Sequence, residues 1–429
     1  MTTAVARAQR PYDPADLSSL EFWSSTAADR ERTFAELRAE RPVSWHRPVK
    51  NGMFEDPNDQ GFWAVVRHAD LVEVTRRPQD FLSGRGITFE SFPPELLDAG
   101  QGFIASDPPR HTKIRRLHAA AFTPKQLARI DGHIVANARR VVDGAIAAAA
   151  AQGEIDFVKE VAALVPMHNI CDMIGIPEEH RRTVAYESQF ADGWRDPRLL
   201  QGADPLARLA QTILTMRAIA DELIADRRRE PRDDLLTALV QAEVDGERLT
   251  DDEISSIFNL LIIAGNDTTR QSIAHGLKAL TDFPDQRAWL LADLDGRMPL
   301  AVEEIVRWAT PIMTFRRTAA HDTELGGQHI TEGDKVIMFY SSANRDTEVF
   351  DHPERLDLSR SPNKHVAFGG GGIHHCLGAQ LARRQIAATF RELLTRLPDI
   401  EVVGEPELGN GNFFHTVMSM TARFTPEGR

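Results

Sequence analysis

The chain has 429 residues, with 63 acidic against 50 basic side chains and a formal net charge of −13. That balance argues against nucleic acid as a partner, because phosphate binding calls for a positive face. Two cysteines exclude a disulfide framework, and no apolar run approaches the roughly eighteen residues of a membrane-spanning helix. The first residues, MTTAVARAQRPYDPADL, lack the apolar stretch of a secretory signal, so the expected location is cytoplasmic.

Along the chain, PVSWH and FWAVV alternate as short strands do. A helix is expected after Pro108-Pro109, in DPPRHTKIRRLHAAAFTP. It carries His111 and Arg115 four residues apart, either holding an anion together or lying on an ordinary solvated face. The alanine-rich AIAAAAAQG reads as a helix end with Gly153 as its cap. Cys171, in the apolar helical VPMHNICDMIGIP, reads as a buried, inert thiol.

The longest helix is expected to begin at Thr250 and Glu253, spaced as a capping box, and to stop before Pro284. That is about thirty residues, or roughly 45–50 Å. Its centre, FNLLIIA, is apolar on every face, which predicts passage through the core. AGNDTT (Ala264 to Thr269) then places a glycine and four polar residues in mid-helix, at a cost if buried. Thr268 can bond back to the carbonyl of Ala264 and bend the helix. Further on, EEIVRW sets Glu304 and Arg307 at i, i+3, a common pair on helix faces. FRRTAAHD brings Arg316 and Arg317 before a hairpin turning at Gly326-Gly327, and KVIMFYSS reads as a further strand. The expected class is mainly α with a minor β portion, residues 1–429 forming one domain.

The last signal is FGGGGIHHCLG, Phe368 to Gly378. Successive glycines let a backbone approach a flat surface closely. Cys376 stands just before a helix, where amide N–H groups favour a thiolate. Gly378 removes a side chain where a large group would press on that helix. The residues leave other readings open. His365, His374, His375 and Cys376 are zinc-ligand types without the usual paired spacing. A cysteine–histidine nucleophile and a purely structural loop also remain.

In this order and spacing, these motifs resemble the cytochrome P450 family of haem-thiolate monooxygenases over nearly the whole chain. The resemblance implies the P450 fold, a single haem-containing domain, and haem b with Cys376 as the iron ligand. Phe368 would shield the sulfur. His374, His111, Arg115 and Arg317 match positions that bond the haem propionates. Glu304 and Arg307 match a structural ion pair that joins the segment holding Asn344 and Arg345. Ala264, Gly265, Asp267 and Thr268 match the oxygen-activation groove, with Thr268 as hydrogen-bond donor and Asp267 as proton relay. Phe368 lies eight residues before Cys376, one more than in most members. That extra glycine resembles a bacterial subgroup that hydroxylates steroid side chains and methyl-branched lipids.

The expected activity is therefore hydroxylation of an apolar small molecule with O2 and two electrons from a ferredoxin and its reductase, by a monomer. Use of H2O2 as a peroxygenase and non-catalytic haem carriage or gas sensing are the rivals. The presence of Asp267 and Thr268 favours O2 chemistry. A locally basic docking face is expected from Arg115, Arg116, Lys125, Arg383 and Arg384. Apolar pocket walls are expected from Phe89, Phe92, the Pro311–Phe315 stretch, Phe413 and Phe414, with His415 as the one candidate cation. By resemblance, the substrate is a methyl-branched lipid, an isoprenoid or a steroid side chain.

Overall fold

In the computed structural model, β1 (Val43–His46) and β2 (Phe62–Val65) pair antiparallel, with Trp45 opposite Trp63. They join β3 (Phe81–Leu82), β4 (Thr314–Ala319) and β7 (Lys335–Phe339) in a five-stranded sheet of order β1-β2-β7-β4-β3. The description covers residues 10–425, except 51, 53, 55, 94–96, 98–101, 120–123, 191–196 and 245. β5 (Thr323–Leu325) and β6 (Gln328–Ile330) form the expected hairpin, with Gly326 and Gly327 at φ 53° and 75° in the turn. Only glycine takes two such angles in succession cheaply.

The register of the sheet decides which side chains can reach a site. Arg317 pairs with Val336, and Phe315 pairs with Met338. Val336 and Met338 belong to a cluster with Trp63 and Tyr340, against which Phe315 packs. Arg316 pairs with Ile337, whose cluster on the other face holds Phe62, Phe89 and Phe339. Alternation along the strand therefore separates the two arginines.

Helices make up most of the remainder. In chain order these include α1 (His68–Arg76), α2 (Arg110–Ala119), α3 (Pro124–Gln152), α4 (Leu164–Ile174) and α5 (Pro205–Arg229). They continue with α6 (Asp251–Asp282), α7 (Leu294–Ala309) and α8 (Ala379–Arg396). α6 starts with the expected capping box: Thr250 accepts from the Glu253 amide, and Glu253 accepts from the Thr250 amide. α6 is helical without interruption through residues 264–269, and Thr268 Oγ1 donates to the Ala264 carbonyl at 3.0 Å. Its second half packs Leu277 and Leu280 with Val142 of α3, Ile305 of α7 and Phe390 of α8. Its first half packs Phe258 and Ile262 with Ile170 of α4 and Leu223 of α5. Gly153 ends α3 at φ 84° and donates to the Ala149 carbonyl, as the cap reading predicts. Cys171 is fully buried, and burial pushes its thiol up to about 12, so it stays protonated.

The Glu304–Arg307 pair carries more than its spacing suggests. Arg307 donates two parallel bonds to Glu304 at 2.7 Å, and both residues are buried. Arg307 also donates to the Asn344 and Pro353 carbonyls. Glu304 accepts from the Asp357 amide, Arg360 and Asn363. One helical turn thus ties down the chain from residue 344 to 363, which leads into the cysteine loop. Removing one member of a buried pair leaves the other charge without compensation. Arg307→Ala should lower folding stability by about 3–5 kcal/mol, read from denaturant unfolding. A loss below about 1 kcal/mol would show that the network does not hold this segment.

Candidate active site

The cysteine loop is built by its glycines. Gly369, Gly370 and Gly371 have φ of 98°, 50° and 90°, the left-handed region that side chains avoid. Gly372 is required for another reason. A Cβ there would lie 1.8 Å from the Thr75 carbonyl oxygen near the end of α1. The longer loop therefore turns left-handed three times and lies directly on α1. It returns so that the Cys376 amide donates to the Phe368 carbonyl at 2.8 Å. Gly378 then caps α8, and a Cβ on it would meet nothing within 4 Å.

Cys376 opens on a cavity between this loop and α6. Its thiol is pushed up by burial, and the Gly378 amide, Arg115 and Arg383 pull it back down. The sulfur is open to that cavity and lies deep within the fold. Phe368 lines the same cavity, with the Arg383 guanidinium 4.4 Å from its ring centre. On the opposite wall stand Ala264, Gly265 and Thr268 of α6. A Cβ on Gly265 would lie 3.0 Å from Ile170, so this glycine also lets α4 approach α6.

Beside the sulfur, basic groups gather. Arg115, Arg317 and His374 line the cavity, and the His111 ring lies 4.1 Å from that of His374. Arg115 donates to the His375 carbonyl at 2.7 Å, Arg317 donates to the Arg316 carbonyl, and His374 pairs with Ser83. Neither ring nitrogen of His111 has a hydrogen-bond partner among the described residues. Burial and then the neighbouring cations hold His111 down at about 4 and His374 at about 2. The nearest acid, Asp107, is engaged by the Ser83 and Gly84 amides. Among the described residues, none of the four basic groups has an ion-pair partner. Two guanidinium charges facing the cavity without counter-charge are costly, and two carboxylates brought by a ligand would offset them, the neutral imidazoles adding hydrogen-bond donors. With the open space at Gly378 and the thiol, the residues fit haem b and its two propionates.

Asp267 stands apart from the other expected groove residues. It is fully buried, and its Oδ1 lies 3.5 Å from Arg270 Nη2, pointing to the helix flank rather than into the cavity. The pocket walls also differ from expectation. Phe89 packs on Phe62, Trp23 and Phe339 across the far face of the sheet. Phe92 packs at a tilt against Phe54. Phe413 meets Phe315 edge-on, and Phe414 bridges to Ile312, so both back the wall without forming it. His415 is no cation: burial and His275 hold it well below the ordinary imidazole range. From the expected Pro311–Phe315 stretch, Pro311, Ile312 and Phe315 do line the cavity, joined by Phe103, Ile104, Ile170 and Leu260. Tyr340 also borders the cavity, its hydroxyl raised to about 12 by burial against the pull of Arg317.

The expected basic face is largely neutralised. Arg383 donates to Glu303 at 2.9 Å, and Arg384 pairs with Asp131. Arg115 is turned inward, Arg116 is exposed, and the side chain of Lys125 lies outside the described residues.

A mostly helical body with a cysteine-floored, cation-rimmed apolar cavity is the build of a haem-thiolate oxidoreductase. The family model of cytochrome P450 matches residues 203–398. A methyl-branched lipid omega-hydroxylase of Mycobacterium tuberculosis is 41% identical over 96% of this chain and 94% of its own. A steroid C26-monooxygenase of Mycolicibacterium smegmatis is 35% identical over 98% and 96%. A Mycobacterium marinum cytochrome P450 solved in complex with pseudoionone is 57% identical, with TM-score 0.92 over 97% and 99% of the two chains. The chain belongs to the cytochrome P450 family, whose members bind haem b through a cysteine thiolate. It is a monooxygenase. Among the described residues, no helix is long and apolar enough to cross a membrane.

The two glycines make separable predictions. Gly372→Ala should lower the unfolding temperature even of the fraction that keeps haem, because the clash is with backbone. Gly378→Ala should lower haem retained per chain and leave the unfolding temperature of the haem-bound fraction less changed. Equal effects of both substitutions, in haem content and thermal unfolding, would contradict these roles.

Proposed function

We propose that this protein hydroxylates a long apolar molecule near a methyl-branched end: a branched lipid, an isoprenoid or a steroid side chain. Residues 1–429 act as one catalytic domain. The observation that carries this reading is that Cys376, Arg115, Arg317, His374 and Thr268 all face one apolar cavity. Cys376 Sγ would hold the iron, with Phe368 and Gly378 shaping its side. His111, Arg115, Arg317 and His374 would hold the propionates. Ala264 and Gly265 leave room on the opposite side. When bound, haem supplies activation of O2 and transfer of one oxygen atom.

The chain's own residues supply protons, exclude water and place the substrate. Thr268 Oγ1 donates to the Ala264 carbonyl, and turning that hydroxyl toward the cavity presents a donor in the groove. Asp267, one residue away, is buried on the Arg270 side. It can feed protons to Thr268 through water or by turning its side chain. Two electrons come from a ferredoxin and its reductase. Because Glu303 and Asp131 offset Arg383 and Arg384, charge steering at that face rests on fewer cations than the sequence suggests. The walls bind by burial of apolar area, at roughly 25 cal/mol per Å². With His415 neutral, no fixed cation among the described residues backs the apolar end, so shape must place the chain. The names of the lipid and steroid relatives support this substrate class.

Titration of the ferric protein with a methyl-branched fatty acid, a sterol and a small polar aromatic tests the substrate class. The first two should shift the haem spectrum at low concentration. A shift by the aromatic alone would overturn the reading. Thr268→Ala should keep haem and ligand binding while diverting reducing equivalents from NADH to H2O2. Full coupling in that variant, or efficient turnover of the parent with H2O2 alone, would contradict the role of the groove.

A further inference from the structure

The chain spends two histidines on a contact that haem binding does not use. His275 of α6 and His415 of the C-terminal segment stack with ring centres 3.9 Å apart and planes at 26°. His275 Nε2 donates to the His415 carbonyl at 2.9 Å, and His415 Nδ1 donates to the Ala309 carbonyl at 2.7 Å. Each ring therefore carries its proton on a defined nitrogen and is neutral. Burial keeps both neutral, and the charges of Arg30 and Arg345 act in the same direction.

These bonds join three parts of the active site. Ala309 ends α7, and beyond the cap residue Thr310, Pro311 and Ile312 are cavity wall. The His415 amide donates to the Pro311 carbonyl, and the Met313 amide donates to the Phe413 carbonyl. Thr314 Oγ1 donates to the Asn412 carbonyl, and Gln271 of α6 accepts from the Val417 amide. The wall at residues 311–315 is thus laid on segment 412–417, which hangs from α6 at Gln271 and His275.

α6 is itself closely packed at this point. A Cβ on Gly276 would lie 2.7 Å from Phe390 of α8 and 3.0 Å from Ile305 of α7. His275 lies seven residues beyond Thr268, on the same face of the helix and about 10 Å along its axis. The helix that carries the oxygen groove therefore also carries the anchor of the wall that a substrate leans on.

We propose that the His275–His415 pair is a positioning device that sets the site of attack, by holding the Pro311–Phe315 wall in register with the Thr268 groove. This rests on the reading of the cavity as the substrate site. Geometry makes the requirement specific. A glutamine amide reaches where histidine Nε2 sits, and an asparagine amide reaches where Nδ1 sits. His275→Gln and His415→Asn keep the two donors, whereas His275→Asn and His415→Gln misplace them with the same chemistry.

The four variants are compared with the parent using a methyl-branched long-chain fatty acid. Three quantities are read: haem content, the ratio of terminal to interior oxidation, and backbone amide hydrogen exchange at Met313 and His415. The matched pair should keep the parental product ratio and slow exchange. The mismatched pair should lose terminal selectivity several-fold and exchange faster at both amides, with haem content retained. Parental ratios in the mismatched pair, or equal losses in both pairs, would overturn the proposal. If the parent shows no spectral response to any apolar probe, the substrate reading fails. Unchanged exchange in the mismatched pair, by contrast, removes the positioning role itself.

Discussion

Buried positive charge without a counter-ion is the constraint on which the site depends. The Arg115 and Arg317 guanidiniums crowd one corner of the cavity beside Cys376, with the neutral His111 and His374 rings next to them, and among the described residues no carboxylate pairs with either arginine. Low surrounding polarity makes such a cluster unfavourable unless a dianionic ligand completes it. The protein therefore has to hold these groups in place by uncharged contacts that do not neutralise them. Carbonyls do this for Arg115 and Arg317, and a hydroxyl does it for His374. The nearest carboxylate, on Asp107, is occupied by two amides.

The same logic explains the supports behind the loop. The Glu304–Arg307 pair has its own charges matched and its spare bonds directed to the chain between Asn344 and Asn363. The glycine run lies on α1 as bare backbone, so loop and helix meet without side chains between them. On the far side, α6 brings Ala264, Gly265 and Thr268 against the open cavity while its flanks are packed by α4, α7 and α8. Packed elements thus surround a space whose lining fits a flat, doubly anionic group.

Much of this was legible in the sequence wherever the signal was local. The capping box at Thr250, the hairpin at Gly326-Gly327 and the cap at Gly153 depend on residues within one turn. The cysteine loop could be read because its glycines, thiol and following helix are contiguous. What escaped depends on pairings across the chain. Phe89 went to the far side of the sheet because strand register, not local apolarity, assigns faces. The basic face lost Arg383 to Glu303, 80 residues away, and Arg384 to Asp131, 253 away. His415 looked like a cation until His275, 140 residues earlier, was found to touch its carbonyl and stack on its ring. Phe103 and Ile170 became walls only through helix packing, which no single-segment pattern reports.

The central claim is that Cys376 is the thiolate for which this site is built. The ferrous carbon monoxide complex reports it directly, because thiolate ligation places the Soret band at a longer wavelength than ligation by histidine or water. The account predicts that band in the parent and in Cys171→Ala, and its loss in Cys376→Ala. A thiolate-type band that persists in Cys376→Ala would contradict the account.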